Sequence, residues 1–450
     1  MNQQRINEDS VLPPGRTPRP VRSVIVLCAL VALLDGFDTQ AISLAAPDIG
    51  AAWQQQPSVF GTVFGIGLFG GLIGATAAGV IGDRAGRRPL VLAGVLEFAV
   101  LTLLTPALAT SIGALEVLRL LSGLGLGAAV PGIIAITSEY TRAQSRASVV
   151  GLMWCGFPMG AVAGGVLAAW LIPDHGWQSL FYVGGVVPLL VLVFLWFRLP
   201  ESARFLRVRG ETAAASRILQ RLGIPAEDTG SQADADSARS PLADLFRQGR
   251  AVTTLLLWTA MLLTLLMAYF LTTWLPSLAA GAGVRSGLLA VSTLNLGGVI
   301  GCVLIGRLAD RYSAVRVLAG AYALGAIAVA LIGEAGSSGA LLLLATFVGG
   351  LLAVGAQLCT VALGATLYET RLRATGVGWS IGAGRIGGIL GPTVGGALIG
   401  AGVGVPALFL LAGAVAGATG LVLFVLSLVR GYVGGRAAAP TSLDSKVVTS

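Results

Sequence analysis

The sequence predicts an all-α polytopic membrane protein of twelve transmembrane helices, arranged as two six-helix repeats. Three observations carry this reading: the composition, the recurrence of long apolar runs, and a charged loop that occurs twice. Of 450 residues, 55% are hydrophobic and only 11% charged, and the mean hydropathy is +0.85. Soluble domains carry roughly 25% charged residues, so most of this chain does not face water. The 64 glycines suit membrane helices, whose small residues let backbones approach closely.

Crossing the hydrocarbon takes about 20 apolar residues. Runs of that order place spans at 22–46, 57–81, 89–109, 112–138, 147–171, 178–198, 251–275, 285–308, 314–334, 338–367, 373–401 and 404–429. Before them stands a polar, Pro-rich arm, 1–21, with Arg5, Arg16 and Arg19. A cleaved signal peptide is the competing reading of this end. The length of the apolar run and the Asp35 inside it argue against that. The first six spans form an N-terminal bundle, 22–198, and the last six a C-terminal bundle, 251–430. Between them lies the one long loop, 199–250. Its "ETAAASRILQRL" reads as a short amphipathic helix and its "EDTGSQADADSARS" as flexible linker. A polar tail, 431–450, closes the chain.

Arginine falls in alternate gaps: the arm, Arg84/Arg87/Arg88, Arg142/Arg146, the 199–250 loop, Arg307/Arg311/Arg316, Arg371/Arg373 and the tail. Arg285 is the exception. Positive-inside logic then puts both termini in the cytoplasm. The same distribution accounts for the net charge of +8 without a nucleic-acid partner, because the cations mark topology and form no patch. Cys28, Cys155, Cys302 and Cys359 all lie in apolar runs with no CxxC spacing, which supports neither a disulfide framework nor a zinc site. The single histidine, His175, lies in a polar gap, so histidine catalysis is excluded. No metal and no cofactor are expected; the expected partners are the bilayer, a small solute and protons, and the expected state is a monomer.

The repeat shows in two loops. "GVIGDRAGRRPL" follows span two and "GRLADRYSAVRVL" follows span eight, half a chain length apart. A duplicated six-helix unit is a signature of secondary transporters, whose solute site lies between the repeats. At these loops the sequence resembles the major facilitator superfamily. Gly79-x-x-x-Asp83-Arg84-x-Gly86-Arg87-Arg88 matches that superfamily's loop 2–3 signature in full; the second copy keeps Asp310 and Arg311 but has Ser313 in place of glycine. The resemblance implies a role for these loops in gating the cytoplasmic side. Arg119-x-x-x-Gly123-x-Gly125-x-Gly127 is similar to the family's fourth helix. Glu139-x6-Arg146 and "PESAR" (Pro200 to Arg204) resemble the cytoplasmic charge network of its sugar-porter branch.

"DGFDTQA" in span one looks like the aromatic acid:proton symporter branch, supported by "SEY" (Ser138–Tyr140), "YFLTTWLP" (Tyr269–Pro276) and "RATGVGWSIGAGRIGGILGP" (Arg373–Pro392). One departure is Gly132, where that branch often carries asparagine after Pro131. Drug/proton antiporters carry G-P-x-x-G-G in span five. Here that string sits in span eleven, from Gly391 to Gly396, where close packing and a bend are its expected job.

Asp35 and Asp38 are three residues apart, so both project from one helix face. A carboxylate at that depth is tolerated only if it faces a cavity, is paired or is protonated. Both are therefore proton-coupling candidates, with a structural pair to arginine as the alternative. Arg119 and Arg385 are intramembrane cations whose planar forks suit a carboxylate substrate or an aspartate. Gln40 and Gln357 could bond a carboxylate or ring hydroxyl, or join helices. Tyr269 and Trp274 could stack on an aromatic ring or anchor at the interface. Glu97 and Glu116 read as helix-pairing carboxyls.

The resemblance thus implies a bacterial inner-membrane transporter, not an enzyme, that imports a benzoate-, hydroxybenzoate- or hydroxyphenylpropionate-type acid by proton symport. A carrier of sugar, another organic acid or drug is the alternative, and a ligand-sensing transceptor a remote one.

Overall fold

The structure is a computed structural model that describes residues 18–142, 145–224, 242–247, 250–279, 281 and 283–437. The predicted "EDTGSQADADSARS" linker and most of the arm and tail lie outside these residues. Twelve long helices run through the described chain: α1 (Arg19–Trp53), α2 (Phe60–Ala85), α3 (Arg87–Leu108), α4 (Ile112–Glu139), α5 (Ser148–His175), α6 (Gln178–Arg198), α7 (Ala251–Leu278), α8 (Val284–Arg311), α9 (Ala314–Ile332), α10 (Gly339–Gly364), α11 (Thr370–Gly400) and α12 (Val405–Ala437). Eleven of them are both long and apolar enough to cross a bilayer. The other, α11, has 31 residues, ample length at about 1.5 Å per residue. Arg385 and its many glycines dilute its apolar character.

Some local features depart from the sequence expectation. Span one was expected to stop at 46, before Pro47 and Asp48, but Pro47 lies inside α1, which runs on to Trp53. Proline is tolerated within a membrane helix because neighbouring groups can satisfy the freed carbonyl. α5 is interrupted at Cys155, between Arg146–Trp154 and Gly156–His175. α10 contains a π-helical turn at Gly350–Val354. The amphipathic helix expected in the linker is present as Thr212–Leu222; Ala215, Leu219 and Leu222, spaced i, i+4, i+7, are buried in the same cluster as Val21 and Val24 of α1.

The helix pairings repeat. α1 packs on α5 and α6, as α7 packs on α11 and α12; α2 packs on α4, as α8 on α10; α3 packs on α6, as α9 on α12. The two sets meet through α2–α11, α5–α8 and α1–α7. The first two of these contacts are equivalent under exchange of the repeats, so the seam has pseudo-two-fold symmetry.

Both ends of the helical chain, the start of α1 and the end of α12, lie on one side, called here the terminal side. The seam is closed on the other side. A Cβ built on Gly396 of α11 would lie 2.9 Å from the Gly61 Cα and 2.7 Å from the Ser58 carbonyl oxygen. In α5, a Cβ on Gly165 would meet the Ser292 Oγ of α8 at 2.3 Å. Ser292 also donates to the Val162 carbonyl at 2.8 Å. Toward the terminal side, built Cβ atoms on Gly79, Gly306, Gly378 and Gly382 meet nothing within 4 Å. Gly396→Leu should therefore force α2 and α11 apart. A Ser58→Cys reporter should react with a membrane-impermeant maleimide several-fold faster in that background. Unchanged labelling would show that the seam does not depend on backbone contact here.

Candidate functional site

The candidate site begins on α1. Asp38 is 1% exposed. It accepts a hydrogen bond from the Thr102 hydroxyl of α3, and its other oxygen takes one from Arg119 Nη1 of α4 at 3.1 Å. Arg119 is itself 4% exposed and lies over the Phe181 ring of α6, 5.6 Å from the ring centroid. Its Nε and Nη2 are buried without a hydrogen-bond partner. Asp38 and Arg119 are thus a desolvated ion pair inside the first six helices.

Asp35, one turn away and 8% exposed, has no such partner. Among the described residues it makes no ion pair; the Thr39 hydroxyl reaches it only at 3.5 Å. The charges within its electrostatic reach are those of Asp38 and of Arg385 on α11. Arg385 is half-buried, and its Nη1 donates to the Gly71 carbonyl of α2 at 3.3 Å. Tyr269 of α7 packs its ring against α11 at Gly388, where a built Cβ would lie 3.1 Å from the ring. It is within electrostatic reach of both Asp35 and Arg385. The fold thus gathers an aspartate from one repeat, a tyrosine and an arginine from the other, at the seam between them.

The other sequence candidates take separate places. Gln40 donates to the Thr272 carbonyl of α7 at 2.6 Å and contacts Ser43, so it joins the two repeats. Trp274 is fully buried; its Nε1 donates to the Pro392 carbonyl at 3.0 Å and its ring meets Phe64 edge-on at 5.3 Å. That locks it in the closed part of the seam. Gln357 is buried just past the π turn of α10, and its side chain makes no hydrogen bond among the described residues. Glu116 accepts from Thr62 of α2 at 2.6 Å, the helix pairing expected of it. Glu97 lies against α4, where a Cβ on Gly125 would strike its Oε2.

The glycines of α4 serve two faces. Gly123 and Gly127 press on the backbone of α2 at Gly67 and Gly71, while Gly125 faces Gly94 and Glu97 of α3. Gly132 also faces α3, where a Cβ would lie 2.4 Å from Val91.

The loop signatures lie on the terminal side. Gly86 takes φ +99, and a Cβ there would lie 2.5 Å from Glu201 Oε2, which requires glycine twice over. Glu201 of "PESAR" accepts from the Arg87 and Arg88 backbone amides at 2.9 and 3.1 Å, holding the start of α3. The Arg88 side chain donates to the Trp196 carbonyl and covers that ring. Asp83, near the end of α2, is 68% exposed on its side chain and only 3.6 Å from Arg87 at the start of α3. Gly79, Arg84, Asp310, Arg311 and Arg146 are exposed. Glu139 accepts from Ser202 Oγ and the Arg204 amide, both at 2.6 Å, and among the described residues makes no bond to Arg146. The bonds Asp83 and Glu139 make here stay within the first repeat and the start of the loop that follows it, and do not reach the second repeat. A third contact is one the sequence reading missed: Arg250, at the start of α7, pairs with Glu369 at 3.0 Å before α11.

This duplicated fold with a charged seam agrees with the sequence profile of the Major Facilitator Superfamily, which matches residues 28–333 and 286–446. The chain belongs to the major facilitator superfamily. Among its relatives within the superfamily, a gallate transporter of Pseudomonas putida is 38% identical over 397 residues, covering 87% of this chain and 88% of that one. The 4-hydroxybenzoate transporter PcaK of Acinetobacter baylyi is 35% identical, covering 84% of each chain. The 3-(3-hydroxy-phenyl)propionate transporter of Escherichia coli is 36% identical, covering 87% and 90%. Among solved structures, a partially occluded inward-open form of the xylose transporter XylE from E. coli shares the superfamily fold. Its TM-score is 0.68 at 18% identity, over 90% of this chain and 97% of that one.

Proposed function

We propose that this chain imports an aromatic carboxylate across a bacterial inner membrane by proton symport with alternating access, both termini facing the cytoplasm, and that it is not an enzyme. The observation that carries the reading is the difference between the two aspartates. Asp38 already has its cation; Asp35 does not, and shares the seam with Arg385 and Tyr269. Relatives that transport gallate, 4-hydroxybenzoate and hydroxyphenylpropionate support the substrate class.

The coupling follows from one guanidinium and two carboxylates. With Asp35 ionised, Arg385 is drawn to it and its charge is neutralised, so a second anion is held only weakly. With Asp35 protonated, Arg385 is left with a carbonyl as its partner and binds the substrate carboxylate bidentately. The Tyr269 ring then offers a face for the substrate ring. Proton and anion therefore load together. The Gly61–Gly396 and Gly165–Ser292 contacts close one side of the seam, and the exposed Asp83 and Asp310 loops are the parts that would meet when the other side closes.

Arg385→Lys should weaken substrate binding by about tenfold to a hundredfold, because a charged hydrogen bond of roughly 1.5–3 kcal/mol and the planar fork are lost while the charge remains. Equilibrium binding of 4-hydroxybenzoate and its amide would check this: only the acid should respond. Binding as tight as wild type would remove Arg385 from the site. The test of the whole reading is a competition panel of benzoate, hydroxybenzoates, gallate, gentisate, phenylpropionates and a hexose against proton-driven uptake. Competition by the hexose and not by the acids would favour a sugar carrier; binding without accumulation would favour a sensor.

A further inference from the structure

All four cysteines lie in the half of their helices nearest the terminal side: Cys28 on α1, Cys155 on α5, Cys302 on α8 and Cys359 on α10. Their positions in sequence give no hint of proximity. In the fold, the Cys302 and Cys359 sulfurs are 3.8 Å apart, and the Cys359 thiol donates to the Cys302 carbonyl at 3.4 Å. Both residues are half-buried, whereas Cys28 is fully buried. The backbones of α8 and α10 touch one turn away: a Cβ on Gly355 would lie 2.8 Å from the Gly301 Cα and 2.9 Å from the Cys302 nitrogen. Two thiols on helices in backbone contact have little freedom to avoid each other. Cys155, across the seam, is within electrostatic reach of Cys302, but among the described residues no sulfur contact joins them.

We propose that Cys302 and Cys359 form a modification site: a dithiol that a peroxide-class oxidant closes into a reversible α8–α10 disulfide. The sulfurs need approach only from 3.8 Å to the bond length of about 2 Å. One thiolate attacks a peroxide oxygen, the O–O bond breaks, and a sulfenic acid and one water result. The second thiol attacks that sulfur, the S–S bond forms and the sulfenic oxygen leaves as the second water. Two electrons pass from the two sulfurs to the peroxide, and a dithiol reductant reverses the change.

The bridge would tie down a particular part of α10. Cys359 lies just beyond the π turn at Gly350–Val354 and on the same helical stretch as Gln357. A π turn leaves a helix able to shift its register locally, and such turns recur at functional sites. The disulfide fixes that stretch against α8. Slowed transport is the consequence; it rests on the transport reading, whereas the bridge itself does not.

The experiment counts thiols on the full-length protein. Wild type denatured after reduction should take four maleimide–polyethylene glycol tags, and two after hydrogen peroxide, with dithiothreitol restoring four. Cys155→Ser should go from three to one, while Cys302→Ser and Cys359→Ser should each keep three. Retention of four tags by oxidised wild type, or loss of two tags by Cys359→Ser, overturns the site. In parallel, 4-hydroxybenzoate uptake should fall several-fold on oxidation of wild type and be insensitive in Cys359→Ser. Loss of two tags with uptake unchanged would keep the bridge and overturn its effect on transport.

Discussion

Asp35→Asn should abolish uptake against a gradient while leaving exchange of substrate across the membrane intact. Asparagine has the shape of a protonated aspartate and no proton to give up. It therefore leaves Arg385 permanently available to the substrate, and the seam can still load, reorient and unload. What is lost is the link between the proton gradient and direction. In reconstituted vesicles, pH-driven accumulation of labelled 4-hydroxybenzoate should fall to background, and counterflow against unlabelled substrate should persist. The pH response of binding gives a second reading. In wild type, substrate affinity falls as rising pH ionises Asp35 and Arg385 is drawn away. In the variant the dependence on this group disappears and affinity is flat across the same range. Accumulation by Asp35→Asn at the wild-type level would mean that another group carries the proton.

The architecture was legible because the bilayer imposes it. Apolar runs, arginine in alternate gaps and the repeated Asp83 and Asp310 loops all follow from solvent and duplication, and each leaves its mark in linear sequence. The π turn of α10 left no mark, since it carries no proline, and it answers to packing against neighbouring helices. The interruption of α5 at Cys155 did leave one, in Pro158, which has no N–H for the Trp154 carbonyl, and the span reading passed over it. At the site, the residue types were legible and the partnerships were not. Asp35 and Asp38 look alike in sequence, and so do Arg119 and Arg385 as buried cations. Which aspartate meets which arginine depends on Thr102 and Phe181, contributed by α3 and α6, and on the crossing of α2 with α11 that sets Gly71 before Arg385. Trp274 shows the same limit: an aromatic near a span end reads as a stacking surface or an interface anchor, yet here its nitrogen is bound to the Pro392 carbonyl in the closed seam.

The Asp38–Arg119 pair carries the other large effect, and it falls on stability. Both side chains are almost wholly removed from water, and among the described residues only Thr102 and the Phe181 ring compensate either charge alone. Two of the three Arg119 nitrogens already lack a partner, so the guanidinium depends on the one bond it makes. Breaking a buried pair by neutralising one member costs about 3–5 kcal/mol, because it strands the other charge. Asp38→Asn and Arg119→Gln should therefore each shift the folding balance by roughly two to nearly four orders of magnitude. The second substitution, made on top of the first, should have the opposite sign, because it removes the stranded charge. Asp38→Asn with Arg119→Gln removes both charges, keeps an amide oxygen for the Thr102 hydroxyl, and should recover most of the loss. Detergent-solubilised protein followed by thermal unfolding and by monodispersity after extraction would separate the three variants from wild type. The double variant should also bind substrate, since Arg385 is untouched. If Arg119→Gln instead proved as stable as wild type but failed to bind the acid, Arg119 would be the substrate's cation, and its bond to Asp38 a resting contact of the empty site.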